Sequence, residues 1–310
     1  MTRLIATSVV RGSQQGESHG GVYLIDLDER RVHQTIDWNT TDIDWQGRGW
    51  DRGLRGIAFD DEKIYIAASD ELFVYTPEFE QIGSYRCDYL RHCHEIHRYE
   101  RRLYLTSTGF DAILGFDLDK NWFSWGLNIT MTREGTRAAP FNPQRQHGPS
   151  PSNELHLNSV FCTNKGMFIS GLRTEGILRF SGKRIEKVVT LPHGVHNARP
   201  FRDGVVFNDT MADLVRFQSL DTQRAFKVPR YQPSSLTHTN LDDSRTARQA
   251  FGRGLCAIDD SIIAAGSSPS TIALHDLDHV KTTLRITLSH DIRNAIHGLE
   301  VWPFDMPVGE

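Results

Sequence analysis

Six short stretches of this chain repeat one pattern, and that repeat limits the fold before any local reading does. They begin at Arg55, His94, Asn158, His196, Arg253 and His297. Each opens on a large polar residue and carries an aliphatic side chain at its third position: Ile57, Ile96, Val160, Ala198, Leu255 and Leu299. In the first five, a second apolar run starts nine positions after the opening residue, at Ile64, Leu103, Met167, Val205 and Ile262. Five gapless matches at one offset mark an internal repeat.

Two further runs follow in each copy. The third runs include Leu72-Phe73-Val74-Tyr75, Ile177-Leu178-Arg179-Phe180 and Thr271-Ile272-Ala273-Leu274, and the fourth include Gln81 to Tyr85 and Leu284 to Thr287. Short segments rich in β-branched and aromatic residues, cut by Asp, Gly and Ser turns, are strand signals. No long helical periodicity competes with them. Four strands per repeat, repeated radially, predict an all-β chain, a six-bladed β-propeller of four-stranded blades. The last innermost strand, Gly298 to Trp302, lacks its own outer strands. Leu4–Val10, Gly21–Leu27 and Arg31–Asp37 at the other end supply three, so the termini should close the ring and remove its open edges.

The reading is one domain over residues 1–310, with three long connections: Asn39 to Asp51, Met131 to Leu155 and Tyr231 to Gly252. Each joins an outermost strand to the next innermost one, which predicts that all three lie over one face. Long loops in a compact domain are usually functional or disordered. At 38% hydrophobic and 24% charged residues the chain reads as soluble and globular. A net charge of -4 gives no electrostatic reason to expect nucleic acid. No apolar run approaches the roughly 18 residues of a membrane span. The start of the chain reads as a strand, not a leader, and four cysteines without a CxxC pair fit reduced thiols, so the expected location is cytoplasmic.

The opening residues of the six innermost strands lie nearest the central axis. In ring order they are Arg55, His94, Asn158, His196, Arg253 and His297, so the histidines occupy every second blade. Three imidazoles converging on an axis form a facial set with open positions, which is how catalytic zinc is often held and which suits iron or manganese as well. His94, His196 and His297 are therefore the candidate ligands of a divalent transition metal. The absence of a carboxylate in that ring disfavours calcium and magnesium. Arg55 and Arg253 offer planar forks for a carboxylate or phosphate; the alternative is that they pair with Asp51, Glu95 or Glu300. Asn158 is the candidate for positioning a polar substrate group. His92 and His156 lie two residues upstream of ring positions, on the same side of their strands, and are candidates for proton transfer. Cys93 and Glu95 flank His94 and should point away. His193 and His238 read as residues of the mouth, His19, His33, His275, His279 and His290 as surface residues, and Cys162 and Cys256 as packing.

The six-repeat pattern resembles the six-bladed propellers of the gluconolactonase and strictosidine-synthase-like superfamily and, more loosely, the virginiamycin B lyase type. The resemblance covers the whole chain and rests on architecture. Where the gluconolactonase type carries a Glu, Asn and Asp calcium site, the axial residues here are His, Arg and Asn, so calcium-dependent lactone hydrolysis is not implied. Axial histidines on a metal are similar in principle to oligogalacturonate lyases and carotenoid oxygenases, which have other blade counts. The expectation is a metal-dependent enzyme acting on a small anionic substrate by lyase, isomerase or hydrolase chemistry. The alternatives are a non-haem iron oxygenase on the same histidines, and a non-catalytic propeller binding a protein partner on its looped face.

Overall fold

The structure, a computed structural model, describes residues 2–14, 16–39, 53–239 and 248–305. Six sheets are arranged around an axis, and their innermost strands touch in succession to close a ring. Blade 1 is Ile57–Asp60, Lys63–Ala67, Glu71–Tyr75 and Gln81–Arg86. Blade 2 opens with Ile96–Tyr99, Arg102–Ser107 and Ala112–Asp117. Blade 3 runs from Leu157–Thr163 to Ile185–Thr190, blade 4 from Val195–Phe201 to Gln223–Lys227, and blade 5 from Phe251–Ala257 to Lys281–Thr287. Blade 6 joins Asn294–Val301 to Arg3–Val10, Gly21–Asp26 and Arg31–Asp37, as the strand count from the two termini predicts.

Strand periodicity explains the packing. Successive side chains of a strand face opposite sides of its sheet, so each inner strand feeds two inter-blade cores. Ile64 and Ile66 pack between blades 6 and 1, while Tyr65 packs between blades 1 and 2. Ile263 and Ala265 face blade 4, and Ala264 faces blade 6. The hydrophobic interior is thus six slabs, one per blade interface. The aliphatic third residues all lie in them, buried. Outermost strands meet solvent on one side and alternate accordingly, as in Lys281–Thr287.

Ring closure is sealed at the axis. Thr7 Oγ1 accepts from the Gly298 amide at 2.8 Å and donates to the Arg55 carbonyl at 2.5 Å, tying blade 6 to blade 1. A Cβ on Gly298 would sit 2.2 Å from that carbonyl, so only glycine permits the approach.

One blade departs from expectation. Blade 2 has five strands, because Met131 to Leu155 is not one loop. The fourth strand continues as Trp122–Thr132 and returns as Gly135–Phe141, pairing from Thr132↔Gly135 to Gly126↔Phe141. This hairpin leads away from the centre; only the remainder returns to the axis. The Tyr231 connection crosses toward blade 6, where Thr237 bridges Asp291 and His238 pairs with Asp291 at 3.1 Å. Residues 40–52 and 240–247, including Asp51, Trp45 and Trp50, lie outside the described residues. No helix is long and apolar enough to cross a membrane.

Candidate functional site

Each ring residue stands where its innermost strand begins or bulges. Register shifts fall between Leu157 and Ser159, between His196 and Arg199, and between Gly252 and Leu255, and blade 6 has one opposite Ala6 and Ser8. An extra residue in a strand re-aims its side chains. Here it turns Asn158, His196, Arg253 and His297 inward. All six ring residues are buried.

The structure brings the three ring histidines and His156 together. The His94 ring centroid is 5.2 Å from that of His297, 6.4 Å from that of His196 and 5.2 Å from that of His156. His94 Nδ1 lies 2.7 Å from the His92 carbonyl and 3.0 Å from Thr108 Oγ1. A carbonyl only accepts, so Nδ1 carries the proton and Nε2 keeps its lone pair. His297 Nε2 lies 2.7 Å from Arg253 Nη1. Guanidinium only donates, so His297 Nε2 is the acceptor. Neither nitrogen of His196 has a hydrogen-bond partner; the Gly194 carbonyl faces the ring and favours its protonated form slightly. Among the described residues no group of three or more His, Cys, Asp or Glu has the geometry of a metal site.

Arg55 Nη1 donates to the Cys93 carbonyl at 2.8 Å. Arg253 lies over the Phe251 ring, which Arg11 and Arg248 also approach, each guanidinium within 5.2 Å of the centroid. Asn158 Nδ2 donates to the Val195 carbonyl at 2.9 Å. Burial holds the imidazoles of His94, His196 and His297 well below their ordinary range, and the guanidinium field lowers them further: Arg55 at His94, Arg253 at the other two. His156 is pushed down to about 3 by burial and by Arg253. The chamber therefore holds neutral imidazoles among cations.

The upstream histidines differ. His156 enters the cluster, with Nδ1 2.9 Å from Asn153 Oδ1. His92 turns toward Ser69, at 3.4 Å, and serves His94 through its backbone carbonyl. Both adopt positive φ, 55° and 53°, as Gly194 does at the matching position with 85°. Left-handed backbone at bulky residues costs energy and clusters at functional sites.

Several expectations need correction. Glu95 does not point away: its Oε1 accepts from Asn197 Nδ2 at 2.5 Å, across the axis. The bulge at Asn197, with φ 55°, is the reason, since it turns that side chain into the channel. Glu300 follows with Arg199 at 3.6 Å, so a second polar layer lies beneath the first. Surrounding protein raises the Glu300 carboxyl to about 7, although its side chain keeps 36% of its exposure. His19 and His275 are buried, not superficial: His19 bonds Ser13, and His275 stacks on Phe226 at 4.5 Å. Cys93 is buried in the core between blades 1 and 2. Cys162 is buried and its thiol pushed up to about 12, which suits packing.

Some residues that build the site were missed. Thr106 Oγ1 accepts from the His94 and Glu95 amides, and Asn208 Nδ2 donates to Asn197 Oδ1. Both stand twelve positions after a ring histidine, so extending the repeat register would have found them. Asp111 has no such signal. Its carboxylate accepts the amides of Glu154, Leu155 and His156 and the Ser152 hydroxyl, which sets His156 in place. A separate cavity of about 330 Å³, lined by Tyr99, Tyr104, Trp125 and Phe180 among others, opens between blades 2 and 3 and includes none of the axial residues.

No protein-family model matches the chain, and no curated protein matches its sequence. Solved structures do. A protein of unknown function from Bacteroides caccae aligns over 98% of this chain and 99% of its own, with TM-score 0.58 and 9% identity. A chain of a nidogen/laminin complex aligns over 97% and 98%, with TM-score 0.58 and 10% identity. These likenesses concern the fold alone. Virginiamycin B lyase from Staphylococcus aureus aligns over 79% of this chain and 73% of its own, with TM-score 0.47 and 11% identity.

Proposed function

We propose that the axial chamber is the active site of an enzyme that binds a small anionic substrate and moves a proton on it, in lyase, isomerase or hydrolase chemistry. The observation that supports this best is the contact of Arg253 Nη1 with His297 Nε2 at 2.7 Å inside a cluster of four imidazoles. Arg253 and Arg55 attract the anion. His94, with its proton committed on Nδ1, presents Nε2 as the base, and His156 stands edge-on beside it. Burial keeps His94 neutral and the guanidinium field adds to it; an anion cancels part of that field, so binding raises the basicity of the imidazole it needs.

The test combines affinity and exchange. Calorimetric titration with a panel of small carboxylates and inorganic phosphate should find a ligand whose affinity falls roughly 10- to 100-fold in Arg253→Gln, the range of a charged hydrogen bond. Wild type should exchange the α-proton of that ligand with D2O, and His94→Gln should not. Failure of every anion to bind wild type refutes the reading.

A second reading keeps His94, His196 and His297 as ligands of a divalent iron, zinc or manganese ion. The carbonyl bond to His94 Nδ1 favours it, because metal-bound imidazoles commonly donate their other N–H in this way. Either Arg253 would leave His297 Nε2 or the ion would take Nδ1. Elemental analysis of chelator-free protein beside the three histidine-to-alanine variants decides: a stoichiometric metal lost in the variants supports it, and none in wild type refutes it.

A further inference from the structure

Resting on the reading of the chamber as an anion site, we infer that its substrate is a hydroxy acid: an anion that also donates hydrogen bonds from hydroxyl groups. The two halves of the ring are chemically different. Blades 5, 6 and 1 contribute Arg253, His297 and Arg55, a cationic arc in which His297 Nε2 is already satisfied by Arg253. Blades 2, 3 and 4 contribute His94, Asn158 and His196, an arc of neutral groups.

That second arc has acceptors without donors. Asn158 is 1% exposed, and its Nδ2 donates to the Val195 carbonyl. The carbonyl cannot donate, so the amide has one orientation, and Oδ1 is left buried without a partner. His196 is 2% exposed, and the Gly194 carbonyl that faces it can engage only one ring N–H, so at least one ring nitrogen is left without a partner. As a neutral ring with its N–H toward that carbonyl, it has an acceptor to offer. His94 Nε2 is a third acceptor, since Nδ1 carries the proton. The three groups are neighbours: the His94 and His196 ring centroids are 6.4 Å apart, and Asn158 is anchored beside His196 through Val195. Buried polar groups are normally paired, and those left unpaired need an explanation. A ligand with donors at one end and an anionic group at the other satisfies both arcs at once.

The donor is hydroxyl, not ammonium. Among the described residues no carboxylate joins this arc; Glu95 is engaged in the layer below by Asn197. An ammonium would be desolvated against uncharged acceptors within the field of the Arg55 and Arg253 guanidiniums, with no carboxylate to pair it. A hydroxyl gives the same hydrogen bond with no charge to bury. An anion with no donor leaves Asn158 Oδ1 unpaired.

Matched acids test this. Calorimetric titration compares propionate, lactate and alanine, and the longer set succinate, malate and aspartate, against wild type, Asn158→Leu and Arg253→Gln. The expected result is that a hydroxy acid binds wild type at least roughly 10-fold tighter than its deoxy and amino counterparts. In Asn158→Leu that ratio should fall several-fold, the hydroxy acid losing more affinity than its deoxy counterpart. The wild-type ratio decides by itself should the leucine variant not fold. Equal binding within a set, or preference for the amino acid, overturns the hydroxyl assignment while leaving the anion site standing, provided Arg253→Gln weakens the whole set. Binding of none of the six acids overturns both.

Discussion

Arg253 and His297 are in direct hydrogen-bond contact in the chamber. A guanidinium 2.7 Å from an imidazole nitrogen is a donor and a positive charge together, and both oppose protonation of the ring. Burial acts the same way and is the larger cause; Arg253 comes next and Arg55 after it. Replacing Arg253 by Gln keeps a donor and removes the charge. The His297 pKa should then rise toward the ordinary histidine value, followed by NMR titration of the ring protons. An unchanged midpoint would mean that burial alone sets it. At this scale the ring positions were legible, because a repeat register names the residue that opens each strand. The direction of Glu95 was not, because alternation along a regular strand says that neighbours diverge, and the bulges across the axis break that alternation.

Among the elements, blade 2 organises the approach to the site. Its fifth strand arises where the sequence offers Pro140, Pro143, Pro149 and Pro151 amid small and charged residues, a composition that reads as loop. Pro140 is tolerated there because the strand is the sheet edge, with no further partner to require its missing donor. The rest of the connection is held by Asp111, whose φ of 45° places its carboxylate under three amides. Asp111→Ala should cost about 2–4 kcal/mol, since it leaves several backbone donors unpaired near the core. Equilibrium urea unfolding measures the loss. The same variant should release His156, and ligand affinity should fall with it; a variant as stable as wild type would show that the connection is held by other contacts.

The whole molecule should be acid-sensitive. His97 and His275 are pushed down to about 4 and His156 to about 3, mainly by burial, and His94, His196 and His297 are lowered as well. In the unfolded chain a histidine titrates near 6.5. Below that pH the unfolded state binds protons that the folded state refuses, so stability falls as pH drops from 6.5 toward 4. Glu95 and Glu300 oppose this: both carboxyls are raised by burial, Glu300 to about 7, so each favours folding as pH falls through its raised value toward the ordinary glutamate value. Six histidines outweigh two glutamates. Unfolding free energy should drop by at least about 2 kcal/mol between pH 7.5 and 5.0, the share of one fully desolvated histidine. Urea midpoints at the two pH values check it, and a flat profile would mean that the axial histidines are hydrated and ordinary.

What the sequence determined by itself was the architecture: blade number, strand order, closure of the ring by the two ends, and the six residues that face the axis. These follow from local periodicity and from a repeat offset, both of which are properties of a string. The tertiary structure alone decided which of those residues meet, and with what partners. Arg253 bonds Nε2 of His297, His156 joins the cluster while His92 turns aside, and Asn158 keeps a buried oxygen unpaired. Residues 44 positions apart in the chain, such as Arg253 and His297, share a hydrogen bond only because the ring bends their blades toward one axis, and no local rule carries that curvature.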